Sequence, residues 1–142
     1  MFYLIYVSTA VNKMDNDELA LLLKEFRDNN VSLDITGMLL YKNKNFMQML
    51  EGKKGTVLEL YEKIKKDERH NPVLTIMMGD IPERNFENWS MGFCNMDQVE
   101  SLPKYDDYID DYIKEQLDLK SFQDDAEGAL KFMKLFNEVY QE

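Results

Sequence analysis

The sequence predicts an α+β fold of the ferredoxin-like β-α-β-β-α-β type, with a fifth strand and a C-terminal two-helix extension. Three observations carry this expectation. Apolar residues alternate between strand and helix periods along the first half of the chain. Two short apolar runs are separated only by Lys42-Asn43-Lys44-Asn45, the spacing of a hairpin. The 142 residues, 44% of them hydrophobic and 12% aromatic, suffice for one core and an appendage rather than two full domains.

Phe2 to Ser8 places Phe2, Leu4 and Tyr6 on one face and Tyr3, Ile5 and Val7 on the other. Both faces are mainly apolar, which predicts a central strand. From about Asp15, with Asp15 or Asn16 as cap, Leu19, Leu22, Leu23 and Phe26 form a helical stripe that ends near Asn29 or Asn30. Ile35–Tyr41 and Phe46–Leu50 then form an antiparallel pair, joined by asparagines that tolerate left-handed backbone. Thr56 and Glu59 have capping-box spacing ahead of Val57, Leu60, Tyr61 and Ile64. This second helix is expected to run out near Arg69-His70, stopped by Asn71-Pro72. Val73–Met78 supplies a fourth strand and Trp89–Cys94 a fifth.

Beyond a break at Ser101-Leu102-Pro103, two apolar stripes predict amphipathic helices that pack on the open face of the sheet. One stripe holds Tyr105, Tyr108, Ile109, Tyr112 and Ile113; the other holds Ala129, Phe132, Met133, Phe136 and Tyr140. Residues 1–96 are expected to form the main domain and 97–142 an acidic two-helix cap. Of the net charge of −10, residues 1–94 contribute −2 and residues 95–142 contribute −8. That field disfavours nucleic acid and anionic membrane as partners. A lone Cys94, no stretch near the length of a membrane helix and no signal-like start suit a cytoplasmic protein.

The chain has no Gly-x-Gly-x-x-Gly, Walker loop, Cys-x-x-Cys or His-Glu-x-x-His, and its single histidine argues against the usual metal sites. His70 has an ordinary account as a cation near the end of the second helix. More informative are polar side chains where alternation predicts burial. Gln48 lies between Phe46 and Leu50 on one face of its strand, and Tyr6 shares a face with Phe2 and Leu4. A buried amide or phenol needs a partner, from the protein itself or from a ligand.

Several segments together resemble a known family. Tyr6-Val7-Ser8, Asn30 ahead of Ile35-Thr36-Gly37-Met38-Leu39, Phe46-Met47-Gln48-Met49-Leu50-Glu51-Gly52, Asp67-Glu68-Arg69-His70, and Phe86 followed by Trp89-Ser90-Met91 are similar, in order and interval, to the BLUF domain of blue-light sensors. The resemblance covers roughly residues 2–94. Met47 stands where an aromatic often precedes the glutamine, and Asn45 where a turn glycine is common. The resemblance implies FAD or FMN held non-covalently between the two helices and the sheet. Leu22 and Ile64 would be apolar walls, and Asn29 and Asn30 would lie at the ring edge. Gln48 would bridge flavin and the Tyr6 hydroxyl, while Asp67, Arg69 and His70 would lie toward the ribityl and phosphate end. Trp89 and Met91 would relay the signal.

On this resemblance the chain would be a short stand-alone photoreceptor and not an enzyme. Tyr6 and Gln48 would be its photoactive pair, and it would signal by contact as a homo-oligomer or with a protein effector. Two other readings stay open from the sequence. One is an acylphosphatase-type hydrolase, although Thr9–Asn16 has neither glycine nor arginine. The other is a light-insensitive domain that binds a ligand for regulation.

Overall fold

The computed structural model describes residues 1–87, 90–97 and 119–140, and side chains up to residue 134. Strand β1 spans Phe2–Ala10, β2 Thr36–Lys42, β3 Asn45–Gly52, β4 His70–Asp80 and β5 Gly92–Asn95. Helix α1 spans Asn16–Leu33 and α2 Lys54–Lys65, and a 3-10 turn at Leu119–Asp124 leads into α3, Ala126–Tyr140. The sheet order is β4-β1-β3-β2-β5. Neighbouring strands are antiparallel except β2 and β5, which run parallel. This is the expected ferredoxin-like arrangement with its added fifth strand.

Alternation along β1 divides the core as the sequence predicts. Phe2, Leu4 and Tyr6 join Leu19, Leu22, Leu60 and Ile64 beneath α1 and α2. Tyr3, Ile5 and Val7 join Leu119, Ala129, Phe132 and Met133 on the opposite face. The last helix therefore packs on the face that α1 and α2 leave open. The helix expected around Tyr105, Tyr108, Ile109, Tyr112 and Ile113 lies outside the described residues, as does Trp89. Among the described residues no helix is long and apolar enough to cross a membrane.

Helix α1 begins as expected. Asp15 Oδ1 accepts from the Glu18 amide at 2.8 Å, and Glu18 Oε1 accepts from the Asp15 amide at 3.4 Å, a complete capping box. It runs past Asn30 to Leu33, where Asp34 adopts a left-handed cap with φ 54°. The β2–β3 hairpin closes on the Lys42–Asn45 pair, with Asn43 and Lys44 at φ 49° and 69°. Positive φ at both central residues is the signature of a type I′ turn. At Gly37 an added Cβ would lie 1.9 Å from the Met49 carbonyl oxygen, so the close approach of β2 and β3 requires glycine there.

Helix α2 differs from expectation at both ends. It starts at Lys54, where the Val57 amide donates to the Lys53 carbonyl at 2.9 Å, and the Lys53 N-cap makes no side-chain bond because an ammonium cannot accept one. Thr56 therefore lies inside the helix and forms no capping box. The helix stops at Lys65, ahead of Arg69-His70. The apolar stripe is exhausted at Ile64, and Asp67 Oδ1 accepts the Arg69 amide at 2.9 Å, an Asx turn that redirects the backbone. His70 consequently opens β4. The fifth strand is likewise shorter than Trp89–Cys94, starting at Gly92.

Glu51 fastens the segment between β4 and β5. Its buried carboxylate accepts from the Asn85 amide at 2.6 Å and the Phe86 amide at 2.8 Å. Burial pushes this carboxyl above the ordinary glutamate range, and the two amide bonds pull it back. Arg84 adds bonds to Thr36 Oγ1 at 2.8 Å and to the Asp34 carbonyl at 2.8 Å.

Candidate functional site

A cleft open to solvent lies between α1 and α2 above the sheet. Leu22 and Phe26 of α1 face Ile64 of α2 across it, Tyr6, Leu39 and Phe46 form its floor, and Asp67, Arg69 and His70 stand along its rim. The floor follows from register. Tyr6 of β1 is opposite Gln48 of β3, and Gln48 is opposite Leu39 of β2, so three neighbouring strands present these side chains to one face.

The polar partners sought from the sequence are found. The Tyr6 hydroxyl donates to Gln48 Oε1, with both residues within 1% of full burial. The Gln48 amide then donates from Nε2 to Met91 Sδ at 3.3 Å. Its acceptor and donor ends thus face different neighbours, a phenol and a thioether, so turning the amide over would change both contacts. Burial, with the neighbouring Tyr61 and Asp67, drives the Tyr6 phenol far above the ordinary tyrosine range. Tyr6 is therefore neutral and carries its proton throughout the physiological range.

Asn30 is fully buried at the C-terminal end of α1. Its Nδ2 donates to the Ser90 carbonyl at 2.8 Å, whereas its Oδ1 is the one buried side-chain polar atom among the described residues without a partner. An orphaned acceptor costs about 1–3 kcal/mol, and it suits a ligand that brings an N–H. Flavin meets that requirement, since its ring edge alternates carbonyls with an imide N–H. The apolar walls fit its ring, and the Arg69 guanidinium at the rim is a group that can bond a phosphate. The residues present therefore fit the group.

At the rim, Arg69 Nη2 lies 2.6 Å from Asp67 Oδ2 and 3.1 Å from Glu25 Oε2, joining the α2–β4 turn to α1. The hydrogen bonds from Arg69 hold the Asp67 carboxyl below its usual range. His70 is engaged at both ring nitrogens, Nδ1 with Ser8 Oγ at 2.8 Å and Nε2 with the Ile64 carbonyl at 2.6 Å. The second contact caps the last turn of α2 from the following strand, so the helix-end role expected for His70 persists although the residue has left the helix.

The structure thus gathers Tyr6, Leu22, Ile64, Asp67, Arg69 and His70 around one cleft. Gln48, Asn30 and Met91 are buried and are not among the residues lining it, and Asn29 is exposed. Sequence reasoning did not assign Phe26, Leu39 and Phe46 to the site, although each belonged to an apolar stripe already identified. It also missed Tyr61, whose ring lies 5.4 Å from that of Tyr6. Contacts between α2 and β1 depend on how the helix crosses the sheet, which periodicity does not reveal.

A ferredoxin-like sheet with a buried phenol–amide pair below an apolar cleft has the features of a small-molecule-binding domain. The particular family follows from comparison: residues 1–92 match BLUF, described as sensors of blue-light using FAD, and the chain belongs to that family. It is a flavin-binding blue-light sensor, and the family's flavin, FAD or FMN, is bound non-covalently. Relatives include the photoactivated adenylate cyclase subunit beta of Euglena longa, 32% identical over 84% of this chain. The chain spans only 14% of that relative's length. Among solved structures, BlsA in its photo-activated state is 28% identical with a TM-score of 0.69, covering 99% of this chain and 95% of that one. A bacterial light-regulated adenylyl cyclase is 29% identical with a TM-score of 0.72, covering 98% of this chain and 40% of that one. The hydrolase and light-insensitive readings are not favoured by these matches.

Proposed function

We propose that Tyr6 and Gln48 are the photoactive pair, that Asn30, Leu22 and Ile64 hold the flavin ring, and that Asp67, Arg69 and His70 hold its phosphate-bearing end. The observation that carries this reading is the buried bond from the Tyr6 hydroxyl to Gln48, placed directly below the cleft. Bound flavin supplies the blue-light absorption and the excited-state affinity for an electron. Tyr6 would be the oxidisable group beside the ring, with its hydroxyl proton held on Gln48 Oε1. Gln48 would rotate or tautomerise and be left with its donor and acceptor ends exchanged, Tyr6 ending again as the protonated phenol. No covalent bond to the cofactor is needed.

The consequence reaches Met91, which is tied to Gln48 through its sulfur. Met91, with Trp89 beside it in sequence, is the proposed route from cleft to β5. In this reading the domain carries no catalytic centre. Its output goes by contact to an effector or to a second copy of the chain, within the cytoplasm and without nucleic acid or membrane. Asn29 is exposed on α1, one residue before Asn30.

The decisive experiment is an absorption spectrum of the purified protein in darkness, under blue light and during dark recovery. A flavin spectrum that shifts reversibly to longer wavelength without bleaching is expected. Bound flavin whose spectrum ignores blue light would sink the Tyr6–Gln48 switch.

A further inference from the structure

The segment entering β5 is held from two elements. From the sheet, Gln48 Nε2 donates to Met91 Sδ at 3.3 Å. From α1, Arg27 Nε donates to the Met91 carbonyl at 2.9 Å and Asn30 Nδ2 to the Ser90 carbonyl at 2.8 Å. Arg27 and Asn30 stand three residues apart and are therefore neighbours on the helix surface. Met91 itself is buried, its methyl carbon lying 3.3 Å from the place a Gly37 side chain would take. Both ends of one residue are thus fixed, the sulfur by the switch glutamine and the carbonyl by a guanidinium on α1.

We infer that Arg27 is a positioning residue for the light switch, holding Met91 against Gln48 in the dark form and carrying a change at Gln48 to α1. This inference rests on the Tyr6–Gln48 reading above. A thioether accepts but cannot donate. When Gln48 presents its oxygen instead of its N–H, the contact to Met91 Sδ loses its attraction and the side chain must move. The backbone carbonyl of the same residue is clasped by Arg27, and a charge-assisted bond resists that movement and favours return. Arg27 is exposed and does not line the cleft, so its function is separable from flavin binding.

The test uses the full flavin-loaded chain and two variants. Arg27→Met keeps the length of the side chain and removes its donors; Arg27→Lys restores a cation with a donor. Arg27→Met should retain flavin and its dark spectrum, while dark recovery slows roughly three- to tenfold, the effect of losing one hydrogen bond of ordinary net strength. Its Gly92 and Phe93 amides should exchange faster in darkness, narrowing the difference between dark and light, and Arg27→Lys should fall between wild type and Arg27→Met. Recovery at or above the wild-type rate, or unchanged exchange in β5, would overturn the clasp. Loss of flavin from Arg27→Met would also overturn it, by placing Arg27 in the binding machinery. A wild-type protein with no photocycle would instead defeat the Tyr6–Gln48 reading itself.

Discussion

The two faces of the sheet are built from the same strands and packed to opposite ends. On the face covered by α3, β1 contributes Ile5 and Val7, β2 Met38 and Leu40, and β3 Met47 and Met49, all within 1% of full burial. On the face below α1 and α2, the same strands contribute Tyr6 and Ser8, Leu39 and Tyr41, Gln48 and Leu50. One face is packed mainly with hydrocarbon and sulfur. The other buries two phenols, a hydroxyl and an amide, leaves the Asn30 acceptor without a partner, and opens into a cleft. The contrast separates a surface selected for filling space from one that keeps polar groups ready for a ligand.

The comparison can be broken most strongly from the packed side. Leu40 has 0% exposure, and Leu40→Ala should cost about 2–5 kcal/mol, the lost transfer energy plus the cavity left behind. Urea unfolding would measure this. If the faces divide the work, the variant that remains folded should keep its flavin spectrum and photocycle. A lost photocycle in protein that is still fully folded would mean that the packed face participates in switching.

On the cleft side the ranking reverses, with modest stability effects and complete functional ones. Gln48→Leu leaves the Tyr6 hydroxyl unpaired, a cost of about 1–3 kcal/mol, and removes both ends of the switch. Tyr6→Phe keeps the ring contact with Tyr61 but removes the proton and the easily oxidised phenol. Both variants should bind flavin, and neither should show the reversible shift to longer wavelength under blue light. A normal photocycle in either one would contradict the assigned pair.

Much of this contrast was legible before the structure. Period-two alternation was enough to place Tyr6 and Gln48 each on a buried face of its own strand, because a strand gives its side chains no other choice. The donor and acceptor joining them was not legible, since it depends on the register that aligns these two residues across neighbouring strands. The end of α2 was misjudged because Asp67 can bend the backbone locally, an option that an apolar stripe does not report. Arg27 drew no notice because an exposed arginine on a helix usually meets only solvent. Its value lies in a carbonyl 64 residues further along the chain, a pairing that no local spacing reveals.

The smallest expected effect lies at the rim, where the two faces no longer differ and solvent screens both. Asp67 is held below its ordinary value of 3.8 chiefly by its hydrogen bonds from Arg69. A carboxyl with a lowered folded-state pKa adds stability that is complete above its unfolded value and is lost as pH falls through the folded one. Wild type and Asp67→Asn should therefore differ in unfolding free energy, measured by urea titration, by a constant amount above the ordinary carboxylate range, of about 0.5–1 kcal/mol for so exposed a pair. The difference should close only in stronger acid. A gap that closed between pH 6 and 5 would assign the rim's stability to a different group, and would leave Arg69 without the role of fixing the α2–β4 turn to α1.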